Sequence, residues 1–207
     1  MEKDKIICPF GSEMQKYWDK RYLYFSKFDK GIKIDKEGLY SVVPEEVAIK
    51  HAKYLKSKIL VDAFGGVGGS AISFAKYLDK VYTIEKNEKR LEMIKNNAKI
   101  YNVHDKIIFI KGDYFKEAPK IKAEGIFLDP PWGGPNYKGM NLFKLSNFSP
   151  DGKKILDLAF KNFREVVLRV PLNFDFSEVD VFNKKFIVRD DFSEGKLISK
   201  TIYFNRD

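Results

Sequence analysis

The residues best placed to do chemistry are Asp129-Pro130-Pro131-Trp132-Gly133-Gly134, directly after the apolar run Gly125-Ile126-Phe127-Leu128. Each proline fixes φ and removes a backbone donor. The carbonyls of this segment can therefore accept hydrogen bonds without a competing N–H. A carboxylate stands at one end and an indole at the other. Together they make a rigid slot with a polar edge and a stacking face, suited to a planar ring that carries an exocyclic amine.

Two further carboxylates stand at the ends of apolar runs. Asp62 follows Ile59-Leu60-Val61, and Glu85 follows Val81-Tyr82-Thr83-Ile84, 23 positions later. Asp62 opens the segment Ala63-Phe64-Gly65-Gly66-Val67-Gly68-Gly69, whose glycines allow tight turning and close backbone approach to a ligand. Gly66-x-Gly68-x-x-Ala71 also satisfies the relaxed dinucleotide fingerprint, so the glycines alone leave NAD and S-adenosylmethionine (SAM) both open. Asp62 favours SAM, because a carboxylate there can pair with a cationic amino group and would sit poorly beside a pyrophosphate. Glu85 can accept both hydroxyls of a ribose, which fits either adenosine cofactor. Asp113, after Gly112, admits two readings: an acceptor for an adenine amino group, or a cap for a helix before Phe115.

These residues need strands and helices to hold them. Ile59–Val61, Val81–Ile84, Lys106–Ile110, Ile126–Leu128 and Val166–Val170 read as buried strands. Helical patterns run between them: Ser70–Leu78, from the cap Asn87 to about Tyr101, and Lys153–Phe160. Pro44 can open a helix that runs to about Leu55, with Glu45 and Glu46 at its positive end. Strands alternating with helices predict a parallel sheet covered on both faces. The tail differs: Lys185–Arg189 and Leu197–Phe204, joined at Glu194-Gly195, predict an antiparallel hairpin at the sheet edge. The expected fold is α/β and Rossmann-like, with a mainly parallel seven-stranded sheet. Residues 1–55 are expected to form a small helical extension or lid on a main domain of residues 56–207. The aromatics Tyr17, Trp18, Tyr22, Tyr24, Phe25 and Phe28 are expected mostly to pack that lid onto the core.

Composition narrows the class. The chain has 207 residues, a net charge of +9 and 15% aromatic residues, which suits one folded domain. The excess of positive charge is spread evenly along the sequence, so any basic patch must be assembled by folding; such a surface favours phosphates. The one cysteine, Cys8, excludes an internal disulfide, and His51 and His104 are the only histidines; no metal site is expected. No run is long and apolar enough for a membrane span, and Met1–Lys5 lacks a secretory core. The expectation is a monomer inside the cell, in the nucleus and/or the cytoplasm, without membrane contact.

The Asp-Pro-Pro-Trp segment resembles the signature of SAM-dependent amino-methyltransferases. The wider pattern is similar to the trimethylguanosine synthase family of RNA cap guanine-N2 methyltransferases. The similarity rests on Lys16-Tyr17-Trp18, Arg21-Tyr22, Phe25–Asp29, Gly31–Val42, Pro44-Glu45, Val61–Phe64, Gly66–Gly69, Asn96–Ala98, Asp105–Ile107, Gly112-Asp113, Pro130–Pro135 and Tyr137, and it covers roughly residues 14–207. It implies a SAM enzyme whose substrate is capped RNA of the small nuclear or nucleolar kind, methylated at N2 of 7-methylguanosine towards the 2,7-di- and 2,2,7-trimethyl forms. It implies that Trp132 stacks on the cationic purine, with a cation–π gain of order 1–2 kcal/mol, and that Asn97 packs near the opposite face. Asp129 and the Pro130 carbonyl would sit by N2. Lys16 and Tyr137 would contact the cap phosphates, and Pro131 and Asn173 would complete the substrate set. Tyr40, Ser41, Val43, Phe64, Gly66 and Gly68 would line the SAM pocket with Asp62, Glu85, Asp113 and Asp129.

The chain departs from the family in three places. Asp129 stands where serine is usual, Val43 where threonine is usual, and Leu172 where an arginine is expected after Pro171. The last change removes a phosphate partner, for which Arg169 and Lys144 are candidate substitutes. Two other readings are an amino-methyltransferase of ribosomal or transfer RNA, and a non-catalytic RNA-binding protein on a degenerate fold. The intact acids Asp62, Glu85 and Asp129 argue against the second. An NAD oxidoreductase is disfavoured because no hydride-transfer site is evident.

Overall fold

The computed structural model describes residues 7–204; the reading of Met1–Lys5 lies outside them. Seven strands form one sheet: β1 Ile59–Asp62, β2 Lys80–Glu85, β3 Ile107–Lys111, β4 Gly125–Leu128, β5 Glu165–Val170, β6 Phe186–Ser193 and β7 Lys196–Phe204. Their order is β3-β2-β1-β4-β5-β7-β6. The first five are parallel to their neighbours. β7 inserts antiparallel beside β5, and β6 pairs back onto β7. The expected hairpin is therefore present, and its turn residues Glu194 and Gly195 both have positive φ, as a tight two-residue connection requires. β4 and β5 are buried along their whole length, which is what continuous β-branched and apolar runs produce when both faces of a sheet are covered.

Among the described residues nine short to medium α-helices accompany the sheet: α1 Gln15–Trp18, α2 Arg21–Tyr24, α3 Lys36–Ser41, α4 Glu45–Tyr54, α5 Gly69–Ala75, α6 Glu88–Ile100, α7 Tyr114–Glu117, α8 Gly152–Asn162 and α9 Ser177–Asp180. Asn87 caps α6 as expected, its side-chain oxygen accepting from the N–H of Lys89 at 2.9 Å. α5 ends at Ala75 rather than at Leu78, three residues short of the apolar pattern. Pro44 stands just before the first helical residue of α4, with φ −54° and ψ 138°.

Tyr24, Phe25, Phe28 and Leu39 share one hydrophobic cluster with Phe74, Leu78 and Phe127, and Tyr17 and Trp18 pack against it. The segment from Tyr17 to Leu39 is thus bound to the sheet by apolar burial. Tyr22 is the exception: it is exposed, and its hydroxyl donates to Asp29.

The sheet reverses direction of winding between β1 and β4. β1 leads outward to β2 and β3, while β4 leads the other way to β5. The loops that leave β1 and β4 at their C-terminal ends therefore diverge and open a crevice, the usual ligand site of an open α/β sheet. Asp62 and Asp129 belong to those two loops.

Candidate active site

A cleft of about 860 Å³ lies over the crevice, and its wall includes Phe64, Gly66, Glu85, Asp129, Trp132 and Tyr137. Its two halves are built differently.

In the half above β1 and β2, the left-handed φ of Gly66, +54°, turns its N–H onto Glu85 Oε2 at 2.8 Å. Glu85 Oε1 accepts from the Asn87 N–H at 2.7 Å. These bonds fix the carboxylate and leave each oxygen a further lone pair for a hydroxyl. Tyr40 and Ser41 line the same half from the end of α3.

Asp62 is 1% exposed and is not itself part of the wall, which takes its chain neighbours Ala63 and Phe64. Neither of its oxygens has a hydrogen-bond partner of ordinary geometry. Burial pushes its carboxyl up to about 7, with the negative neighbours Asp129 and Glu85 adding to the effect. An isolated buried carboxylate is costly unless a cation joins it. Three acids around one crevice give a field that attracts a positively charged ligand.

The half above β4 and β5 holds the acceptor slot. Register carries β4 and β5 in step to Leu128 and Leu168. The next residues, Asp129 and Arg169, are therefore neighbours, and the Arg169 guanidinium donates to Asp129 Oδ2 at 3.1 Å. Burial pushes the Asp129 carboxyl up and the guanidinium draws it back, with a net upward direction. The guanidinium also lies 4.7 Å from the centre of the Trp132 ring. Tyr137 meets the same indole edge to face, with ring centres 5.1 Å apart. The Pro131 carbonyl accepts from the Ser149 N–H at 3.1 Å, whereas the Pro130 carbonyl accepts no bond among the described residues. Asn173 lines the cleft and donates to the Met140 carbonyl at 2.8 Å, bracing the loop that carries Tyr137.

Several residues expected at the site lie elsewhere. Asn97 is fully buried, and its amide is spent on backbone: the oxygen accepts from Lys33 N–H, and the nitrogen donates to the carbonyls of Lys33 and Val67. It ties the segment before α3 to α6 and does not reach the cleft. Val43 is buried against Val47 and Ala48, while its neighbours Val42 and Pro44 line the wall. Gly68 stands at the start of α5 with φ +93°, where a Cβ would come within 2.9 Å of Ile94 Cγ2; it packs the helix rather than facing the cleft. Asp113 caps α7 through the Phe115 N–H at 2.8 Å and pairs with Lys86, so of its two readings the cap is the one the geometry realises. Lys16 is exposed with its ammonium over Tyr17, and the cleft wall takes Tyr17 and Lys20 instead. Neither candidate substitute for the missing phosphate-binding arginine fills that place: Arg169 is 7% exposed and committed to Asp129, and Lys144 is not part of the wall.

Fold and site together define a SAM-dependent methyltransferase. Glu85, fixed by the N–H groups of Gly66 and Asn87, presents the cleft with acceptors of the kind an adenosine ribose needs, with the buried acid Asp62 next to the wall residue Ala63. Among the described residues no group of three or more His, Cys, Asp or Glu could hold a metal ion, and no helix is long and apolar enough to cross a membrane.

Comparison with known proteins sharpens the class. The family model for RNA cap guanine-N2 methyltransferases matches residues 57–197. Trimethylguanosine synthase of Schizosaccharomyces pombe is 36% identical over 98% of this chain and 91% of its own length. That of Saccharomyces cerevisiae is 31% identical over 83% of this chain, which spans 59% of the yeast protein. Among solved structures, one from Porphyromonas gingivalis assigned as a methyltransferase superposes with a TM-score of 0.71 at 13% identity, covering 96% of this chain and 52% of that one. The tRNA (m1A58) methyltransferase of Aquifex aeolicus gives 0.57 at 12% identity, covering 85% and 72%. At those identities the two structures speak for the fold alone. The chain belongs to the RNA cap guanine-N2 methyltransferase family: it is a SAM-dependent enzyme that methylates the exocyclic N2 of the 7-methylguanosine cap.

Proposed function

We propose that the two halves of the cleft hold the two reactants and that the wall residues act as follows. Asp62 pairs with the amino group of SAM, Glu85 accepts its ribose hydroxyls, and Tyr40, Ser41, Phe64 and Gly66 enclose it. SAM supplies an electrophilic methyl group on a sulfonium. The 7-methylguanine enters the other half, with its ring on the Trp132 indole and its N2 against the Asp129 carboxylate and the Pro130 carbonyl. Tyr137 and Pro131 border the ring, and Asn173 holds the loop in place.

Such a site needs no strong base. Asp129 and the Pro130 carbonyl accept the N2 hydrogens and so orient its lone pair; positioning of this kind supplies several kcal/mol. As the nitrogen gains positive charge in the transition state, the carboxylate stabilises it. The proton then leaves to water. Residues 1–55 serve as a lid through Tyr17, Tyr40 and Ser41, with residues 56–207 as the catalytic domain. The enzyme acts as a monomer inside the cell, in the nucleus and/or the cytoplasm, on capped RNAs of the small nuclear or nucleolar kind, and adds methyls towards the 2,2,7-trimethyl form.

The observation that carries this reading is one cleft whose wall joins the ribose acceptor Glu85 to the carboxylate Asp129 and the indole of Trp132, with the buried Asp62 next to wall residue Ala63. Mass spectrometry of a 7-methylguanosine cap dinucleotide incubated with enzyme and SAM tests it. Mass gains of one and then two methyl groups are expected on the capped substrate. Methylation of uncapped RNA in preference to the dinucleotide would contradict it.

A further inference from the structure

Behind the acceptor slot lies a buried polar chain that reaches Asp129 from the far side of the sheet. Arg169 projects from β5 and its Nε donates to Ser199 Oγ on β7 at 3.1 Å. Ser199 and Thr201, also on β7, donate to Asp191 Oδ2 on β6 at 2.7 and 2.8 Å. Asp191 Oδ1 accepts from His51 Nε2 on α4 at 2.8 Å. Every member is deeply buried: His51 is 2% exposed, Asp191 5%, and Ser199 and Thr201 0%. A buried charge persists when it is paired and hydrogen-bonded, and here the guanidinium meets Asp129, Ser199 and, at 3.9 Å, Asp191, which His51 holds in turn.

We infer that Arg169 is the positioning residue of the acceptor site, and that the chain through Ser199, Asp191 and His51 exists to hold it. The inference rests on the reading of Asp129 as the partner of the amine. The guanidinium does two things at once. It locks the Asp129 carboxylate in one orientation and opposes the upward push that burial puts on its ionisation. It also backs one face of the Trp132 indole, so that the purine has a single face to stack on. A cation behind the indole would by itself repel a cationic purine in front of it; Asp129 between them removes that repulsion. The groups facing Asp129 are Arg169 from β5, Asp191 from β6, His51 from α4, Asp62 from β1 and Tyr137 from the loop after β4. Of these Arg169 alone donates to it among the described hydrogen bonds.

The test is a double-mutant cycle with the cap dinucleotide as substrate. Asp129→Asn, Arg169→Met and the double variant are assayed for kcat, KM and the pH dependence of kcat/KM, with SAM affinity measured by calorimetry. Arg169→Met is expected to lower kcat/KM about 100-fold, the scale of losing one group that holds a catalytic partner, with SAM affinity changed less than about threefold. Because Arg169 acts through Asp129, the double variant is expected to be no worse than Asp129→Asn, since coupled residues are non-additive. Loss of the guanidinium removes what draws the Asp129 carboxyl down, so the acidic limb of the Arg169→Met profile is expected to move to higher pH. Multiplied losses, or an unmoved acidic limb, would overturn the inference. Full activity of Asp129→Asn would instead overturn the reading of Asp129 itself. Ser199→Ala keeps the charge of Arg169 and removes the two hydrogen bonds that link it to Asp191, and it guards against a variant that does not fold. It is expected to show the same limb shift with about a three- to tenfold loss, and wild-type behaviour of this folded variant would count against the chain's role.

Discussion

Asp62 and Asp129 follow neighbouring strands, lie beneath the same cleft, and are both withdrawn from water, yet they are furnished in opposite ways. Asp62 has no side-chain partner, the backbone N–H groups of Phe64 and Ala71 offset its burial only in part, and its carboxyl is pushed up to about 7. Asp129 is gripped by Arg169, which is itself braced by β7. The difference follows from what each half must do. A carboxylate meant for a cation that comes and goes is left unsatisfied, and the fold bears that cost until the ligand arrives. A carboxylate meant to orient a reacting amine is held still beforehand. An electrostatic cost is carried on the cofactor side and orientation is built in on the acceptor side.

The largest break in this comparison should come from the acceptor side. Trp132→Ala removes the stacking face and the group over which Arg169 lies. It is expected to lower kcat/KM for the cap dinucleotide by at least about 1,000-fold, since stacking and positioning are lost together. Calorimetry should still find SAM affinity within about threefold of wild type. Equal losses on both sides would show that the halves are not separate.

On the cofactor side, Asp62→Asn is expected to weaken SAM about 100-fold, the scale of losing a charge partner in a buried site. The same change should stabilise the protein without cofactor. An acid whose folded value is raised contributes its stability fully below its ordinary range near 4 and loses it as pH rises through the folded value. The advantage of Asp62→Asn should therefore be close to nothing at pH 3, about 2 kcal/mol at pH 5 and about 4 kcal/mol by pH 7, levelling off above it. Thermal melts across that range check the sign. A variant less stable than wild type at pH 8 would contradict it.

Much of the frame was legible in the residues. Strand runs rich in valine and isoleucine, the hairpin at Glu194-Gly195 and the Asn87 cap are local signals, and each appears where its chemistry places it. The three acids at strand ends were also legible, because a sheet with this alternation delivers strand ends to one edge. What was not legible was long-range. Nothing near Asn97 says that the backbone of Lys33 needs its amide, and an asparagine beside a ligand reads the same as one that ties two segments. Asp113 was undecided for the same reason until Phe115 and Lys86 were seen to occupy it. Arg169 offered a usable signal: an arginine inside Val166–Val170 must be buried, and a buried guanidinium needs a carboxylate. The parallel register of β4 and β5 supplies Asp129. The pairing of His51 with Asp191 gave none, because α4 and β6 meet only through the folded sheet.

Asn97 makes the smallest entry in this series for catalysis, and it sharpens the boundary of the site. Asn97→Ala is expected to lower stability by about 2 kcal/mol, since it leaves buried backbone groups unpaired. The KM for the cap dinucleotide should stay within about threefold. A large rise in KM in a fully folded variant would return Asn97 to the purine.

The claim that Asp62 waits, partly protonated, for the cofactor's positive charge is tested most directly by titrating SAM into the wild-type enzyme in buffers of different ionisation heat. Binding should drive the carboxyl to its ionised form, so close to one proton is expected to leave at pH 6, about half at pH 7 and almost none at pH 8. Affinity should climb with pH over the same interval. Binding with no proton exchange and a flat affinity from pH 6 to 8 would contradict the account.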